Sequence, residues 1–258
     1  MLLVLDAGNT NIHVGCFDGD SLVCRFAMGV SADRTCDEYA LILGALLRNG
    51  GCDASKIDGV MIGSVVPSMT DTLKKAIACI TSAKIMAVGP GVKTGFPIRL
   101  DNPAELGADL AANAAGAIRV LGYPVIIVDL GTASTVMAID RDGSYIGGCI
   151  MPGVGMSLDA LQSAELLPEI PVGESVSALG KNTKDCMRSG VIRGEAMAVC
   201  GFVELYRRNP AVGKDAAVAL TGGYAEWLSP YLPSSFQYLP LLTLQGLRAI
   251  WQLNQKKS

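Results

Sequence analysis

The chain has 258 residues, half of them apolar and only 17% charged, with a formal net charge of −3. That balance excludes a disordered chain, and it gives no electrostatic reason to expect a nucleic acid or an anionic membrane as partner. The length suits one large or two modest domains with real cores.

From the N-terminus, LLVLDAGNT runs four aliphatic residues into Asp6 and then into Gly8, Asn9 and Thr10. No basic stretch precedes this start, and Asp6 arrives too soon for a signal peptide. Apolar runs such as ALILGALL fall well short of the ~20 residues that span a bilayer. A soluble, cytoplasmic protein without a membrane segment is expected. Residues 1–28 read as three strands, with the Asp18-Gly19-Asp20 turn as a hairpin signal. TCDEYALILGALLRNGG (35–51) reads as a helix opened by a Thr35/Glu38 capping box and stopped by Gly-Gly. IDGVMIGSVVP is a strand, DTLKKAIACITS (71–82) a helix and KIMAVG a strand. PGVKTGFPIRLDNP (90–103) is a loop leading into the Ala-rich helix AELGADLAANAAGAIRVLG (104–122), closed by Gly122.

Residues 125–135, VIIVDLGTAST, then repeat the opening: aliphatics, Asp129, one residue, Gly131 and Thr132. One offset, 129 − 6 = 123, also pairs Gly8 with Gly131. The likeness continues through a second hairpin, turning at Arg141-Asp142-Gly143. GGCIMPGVGM (147–156) reads as a loop and SLDALQSAELLP (157–168) as a helix. VGESVSALGKNT (172–183) is another loop, and 183–209 is long helical material. AAVALTGG is a strand and LLTLQGLRAIWQLNQ a closing helix; the terminal Lys256-Lys257 pair reads as a solvated tail. Strands alternate with helices in both halves, so the class is α/β. Each half opens on an antiparallel hairpin rather than a βαβ unit, which argues against a Rossmann sheet. The division falls near residues 120–124, giving domains 1–120 and 121–258.

The eight cysteines include no CxxC pair and His13 is the one histidine, so a structural zinc site has poor material and free thiols are expected. His13 falls on the second strand, where a pleated-face side chain is the plain reading. GPGVKTG and PGVGMSL are glycine-rich but fit neither GxGxxG nor GxxxxGK[ST], and neither clearly follows a strand and opens a helix. There is no GxSxG elbow. What remains is the repeat. Strand-end carboxylates at Asp6 and Asp129 suit a divalent cation held against a polyphosphate. The turns Gly8-Asn9-Thr10-Asn11 and Gly131-Thr132-Ala133 suit phosphate oxygens, because glycine lets the backbone approach. Thr221-Gly222-Gly223, ending a late strand, would let a purine or ribose lie flat on the backbone. These parts suit phosphoryl transfer, where positioning and charge neutralisation are most of the catalysis. Asp109 is the candidate to orient an acceptor hydroxyl, although an acidic residue in a helix's first turn also simply complements the dipole. Thr183 has the ordinary reading of a helix N-cap.

In order along the chain, LDAGNTNIHVG, SVVP, VGPGVKTG, DNPAELGAD, VDLGTAST, GGCIMPGVGMSLDAL, LPEI, GKNT, SGVIRG, LTGG and LTLQGL resemble a type III pantothenate kinase from residue 2 to about 250. The resemblance implies two ribonuclease H-like domains, each a mixed sheet flanked by helices, around a nucleotide cleft. This is the fold of the acetate and sugar kinase, heat-shock chaperone and actin superfamily. It implies ATP-dependent phosphorylation of pantothenate to 4′-phosphopantothenate, the first step of coenzyme A biosynthesis, with Mg2+ and a monovalent cation, K+ or NH4+. It assigns Asp6 and Asp129 to the cation and phosphate region and Asp109 as general base. Gly107 and Thr183 become pantothenate contacts, Thr183 from the partner subunit of a homodimer whose interface would use the loop from Met151 to Met156 and the helix after it. The substrate stretch Gly107-Ala108-Asp109-Leu110 departs from the family pattern, which commonly has arginine where Leu110 stands. An aromatic is common at Leu100 and an aspartate at Met137. Lys93 or Arg99 would then grip the substrate anion in place of the arginine. Alternatively, the chain is a non-catalytic regulator of the same fold, or acts on another small hydroxy acid.

Overall fold

The computed structural model describes residues 1–163 and 176–255. The LPEI stretch, the end of the helix expected at 157–168, the start of the loop expected at 172–183 and the Lys256-Lys257 tail lie outside them. Two compact units are present. The first comprises Met1–Gly95, Asp101–Arg119 and Leu242–Ser258; the second comprises Phe96–Leu100 and Val120–Leu241.

The first unit is built on a five-stranded sheet. Its strands are β1 (Leu2–Ala7), β2 (Asn11–Asp18), β3 (Ser21–Gly29), β4 (Gly59–Ser64) and β5 (Lys84–Ala87), in the order β3-β2-β1-β4-β5. β1, β2 and β3 pair antiparallel, whereas β4 and β5 add parallel to β1. The aliphatic run of β1 is buried on both faces, as a central strand requires. On one face Leu3, Leu5, Ile12, Val14 and Ile62 pack against α1 (Cys36–Asn49) and α2 (Pro67–Ala78), through Tyr39, Leu43, Leu47, Leu73 and Ile77. α1 has the expected capping box, with Glu38 N–H bonding the Thr35 hydroxyl and Thr35 N–H bonding the Glu38 carboxylate. α2 begins earlier than expected, because Pro67, with no N–H to lose, stands in its first turn.

The opposite face carries glycines where a helix must come close. α8 (Leu242–Leu253) lays Leu244, Leu247 and Trp251 over Gly15, Gly63 and Gly59. A Cβ at Gly63 would lie 2.9 Å from Leu247 Cδ2, and one at Gly59 would collide with the Trp251 ring. α3 (Ala108–Leu121), preceded by a 3-10 turn at Pro103–Glu105, crosses α8 closely, so that a Cβ on Gly246 would strike the Ala112 carbonyl. Thr243 donates its hydroxyl to buried Asn113 at 2.7 Å across this crossing.

The second unit repeats the sheet. Its strands are β6 (Val125–Leu130), β7 (Ala133–Ile139), β8 (Tyr145–Pro152), β9 (Ala217–Thr221) and β10 (Gln237–Tyr238), in the order β8-β7-β6-β9-β10 with the same directions. Ile126, Val128, Leu130, Val136, Val218 and Leu220 form its core with α4 (Val154–Gln162) and α6 (Gly194–Arg207). α5 (Thr183–Arg188) reaches α6 through a π-helical turn at Ser189–Arg193, and the short α7 (Ala225–Leu228) follows β9. The reading of 147–156 as a loop is corrected: β8 runs to Pro152, Gly153 is the N-cap, and α4 opens at Val154. PGVGMSL therefore does follow a strand and open a helix.

Candidate active site

In the first unit Asp6 is the penultimate residue of β1, flanked in register by His13 of β2 and Gly63 of β4. The turn after it is pinned at both ends: Gly8 N–H donates to the Asn11 carbonyl at 3.0 Å and Val30 N–H to the Thr10 carbonyl at 2.9 Å. Asn9, Thr10 and Asn11 of this turn are exposed.

The same end of this sheet reaches α3. Val65, just past β4, donates its N–H to the Ala7 carbonyl at 3.4 Å. Its Cγ1 lies 3.8 Å from where a Gly107 Cβ would be. Asp109 stands in the first turn of α3, its Oδ1 accepting the Leu110 N–H at 2.8 Å. A Cβ on Gly107 would sit 2.6 Å from that same Oδ1, so the glycine leaves the space the carboxylate uses. Burial raises the Asp109 carboxyl above the usual carboxylate range, against the pull of its backbone hydrogen bonds. Ala108 is buried and Leu110 half-buried beside it.

In the second unit Asp129 is the penultimate residue of β6, between Thr135 of β7 and Thr221 of β9. Gly131 N–H donates to the Ala133 carbonyl at 3.2 Å, closing a turn one residue shorter than its counterpart. Thr132 is exposed and Thr221 buried. Gly222 has φ +102°, and a Cβ there would collide with the Leu130 backbone. Only glycine satisfies both demands. Thr221, Gly222 and Gly223 thus share one end of the sheet with Asp129, Gly131 and Thr132.

Sequence reasoning missed two neighbours of these turns. Gly153 donates its N–H to the Thr132 carbonyl at 3.1 Å and leaves no room for a Cβ against the Gly131 and Thr132 carbonyls. Val65 is the other; the signal for it was the SVVP stretch itself.

The remaining predicted residues lie on other elements. Residues 96–100 run beside the start of β8, with Arg99 N–H on the Tyr145 carbonyl at 2.8 Å and Leu100 beside Gly147. The Arg99 guanidinium pairs with Asp140 at 3.2 Å and Asp142 at 3.4 Å, so it is already engaged. Lys93 is exposed, its backbone bonded on both sides to the Asn254 side chain. Met137 is buried in β7. Thr183 is exposed and is not the N-cap of α5: Asn182 holds that place, its side chain accepting the Asp185 N–H at 2.9 Å. Asparagine caps at least as well as threonine and stands one residue earlier, which is why it wins.

Among the described residues no group of three or more His, Cys, Asp or Glu is arranged to hold a metal ion alone. The strand-end carboxylates suit magnesium, which takes one or two carboxylates and completes its shell with phosphate oxygens and water. No helix of the described residues is long and apolar enough to cross a membrane.

The type III pantothenate kinase family model matches residues 2–205. A type III pantothenate kinase of Moorella thermoacetica is 40% identical, the match covering 98% of this chain and 100% of that protein. One of Dehalococcoides mccartyi is 41% identical, over 98% of this chain and 96% of that protein. Among solved structures, component A of the (R)-2-hydroxyglutaryl-CoA dehydratase of Acidaminococcus fermentans shares the fold, with a TM-score of 0.58, 16% identity and coverage of 98% of this chain and 99% of that one. With the duplicated sheets, this likeness is one of fold. The chain belongs to the type III pantothenate kinase family.

Proposed function

We propose that this protein transfers the γ-phosphoryl group of ATP to the hydroxyl of pantothenate, giving 4′-phosphopantothenate for coenzyme A synthesis. The observation that carries the reading is the duplicated strand end: a carboxylate, a glycine turn and exposed polar side chains recur at Asp6 and Asp129 in two sheets of identical order. Gly8, Asn9, Thr10 and Asn11, and Gly131 and Thr132, offer backbone and side-chain donors to phosphate oxygens. Gly222 and Gly223, following buried Thr221, leave the strand end without projecting side chains, which suits a nucleoside. Asp6 and Asp129 are the carboxylates suited to magnesium, which when bound neutralises phosphate charge. A monovalent cation, K+ or NH4+, is part of the reading.

Asp109 is the general base. Its carboxylate accepts the acceptor hydroxyl's proton as the oxygen attacks phosphorus, and a raised pKa makes it a better base than a solvated aspartate. Gly107, Ala108 and Leu110 beside Asp109 offer the acceptor's place, Leu100 keeps the reading of a substrate contact, and Thr183 is read as a contact from the partner subunit of a homodimer. Supporting that dimer, the π turn and α6 expose a run of Gly190, Gly194, Met197, Gly201 and Leu205, with open space beyond each glycine. Met197 is 75% and Leu205 56% exposed, an apolar face suited to a second copy.

The test is ADP release with ATP, magnesium and potassium, with and without pantothenate, beside Asp109→Asn. Release that needs pantothenate and collapses in the variant supports the reading. ATP binding without pantothenate-dependent release would point to the non-catalytic relative, and release with a different hydroxy acid to altered specificity.

A further inference from the structure

A cluster of thiols lies in the first unit, away from the residues considered so far. Cys16 of β2 and Cys24 of β3 are direct cross-strand partners. Cys52, just after α1, brings its Sγ to 3.2 Å from the Cys24 Sγ and also hydrogen-bonds the Cys16 thiol. Cys16 and Cys52 are buried, while Cys24 is partly exposed. The approach depends on the end of α1: a Cβ on Gly50 would sit 2.8 Å from Cys24 Cβ and 2.9 Å from its Sγ, so only glycine lets this loop close over β3.

Three sulfurs in one place raise the question of a metal, but no such group among the described residues is arranged to hold one. The remaining chemistry of two touching thiols is oxidation. A disulfide needs its sulfurs at about 2.05 Å, so the Cys24–Cys52 contact has to shorten by roughly 1 Å.

We propose that Cys24 and Cys52 form a reversible disulfide when the protein meets a hydroperoxide, making this cluster an oxidation site. The Cys24 sulfur, as thiolate, attacks the peroxide oxygen. The O–O bond breaks, and Cys24 becomes a sulfenic acid with release of water or alcohol. The Cys52 sulfur then attacks the sulfenic sulfur, the S–S bond forms, and the S–O bond breaks. The hydroxyl leaves with the Cys52 proton as water. Two thiols give up two electrons and the peroxide takes them. Burial and the neighbouring thiol push the Cys24 thiol up to about 12, so the thiolate is scarce and the first step slow. The cluster therefore reacts slowly and calls for sustained oxidant. Cys16 pairs with Leu3, three residues from Asp6 along β1 and so about 10 Å from it. Oxidation is therefore not expected to disturb the strand-end site.

The experiment treats the full chain with hydrogen peroxide, then denatures, alkylates and digests it for mass mapping. A Cys79→Ser/Cys186→Ser background removes the two exposed thiols that would cross-link copies. The expected result is a peptide pair joined through Cys24 and Cys52, about 2 Da lighter than the two reduced peptides together and separated by dithiothreitol. The untreated protein must show none of it. A Cys16–Cys24 link instead, or over-oxidation of Cys24 to sulfinic acid with no link, would overturn the assignment. The readout is sulfur connectivity, so it stands whether or not the protein phosphorylates pantothenate.

Discussion

In the proposed reaction Asp109 is the residue on which the chemistry turns, and its surroundings set two opposite demands. Burial raises its pKa, so folding favours the protonated form and ionisation at neutral pH works against stability. The sign follows: this destabilisation is absent below the unfolded pKa, grows as pH rises towards the folded one, and is complete above it. Asp109→Asn should therefore leave the thermal midpoint at pH 7 unchanged or higher, while kcat falls by about 10²–10⁴-fold; calorimetry and a coupled ADP assay read the two. The general base must also be ionised, so the acid limb of the kcat/KM profile should lie above the pH at which a solvated aspartate titrates. A limb at the ordinary aspartate value would separate Asp109 from proton transfer. Gly107→Ala tests the same carboxylate from outside. The new Cβ meets the mobile end of a side chain rather than backbone, so the structure yields cheaply but Asp109 turns. The expected outcome is a fall in kcat with almost no change in melting temperature.

The elements divide into those that announce themselves and those that do not. The capping box of α1 and the aliphatic runs of β1 and β6 were legible because one local force dominates each. The strand-to-helix passage at Gly153 was not, because Pro152 and Gly153 look like loop residues until the Thr132 carbonyl is seen to need a close donor. Thr183 was misplaced by one position because Asn182, an equally good cap, precedes it. The site was legible as motifs, whereas the reason for each glycine was not. Gly107 makes room for a carboxylate, Gly153 for two carbonyls, and Gly222 for a strand's backbone at positive φ. Gly222→Ala combines that strain with a backbone collision, so it should cost at least about 1–3 kcal/mol in chemical denaturation and raise the KM for ATP more than that for pantothenate. Equal changes in both KM values would remove the Thr221–Gly223 turn from the nucleoside site.

For the whole molecule, the duplicated strand order explains why strand-end turns 123 residues apart in sequence share one design. The exposed face of α6 bears on assembly. Met197→Asp with Leu205→Asp should convert a dimer to a monomer in sedimentation velocity, with circular dichroism unchanged, since both side chains point outward. Thr183, if it serves a neighbouring subunit, makes that monomer weak in pantothenate binding too. An unaltered dimer would move the interface to the segment from Met151 to Met156.

The first unit is completed by α8, whose Leu244, Leu247 and Trp251 cover Gly15, Gly63 and Gly59. In chain order that helix follows residues 120–241, so during synthesis the N-terminal sheet must wait with one apolar face bare until the sequence of the second unit has emerged. The usual vectorial order, first domain first, is reversed here. A released chain truncated after Leu241 should show β1–β4 open to protease while β6 and β9 are already protected, and the newborn protein should lean most on chaperones just before α8 appears.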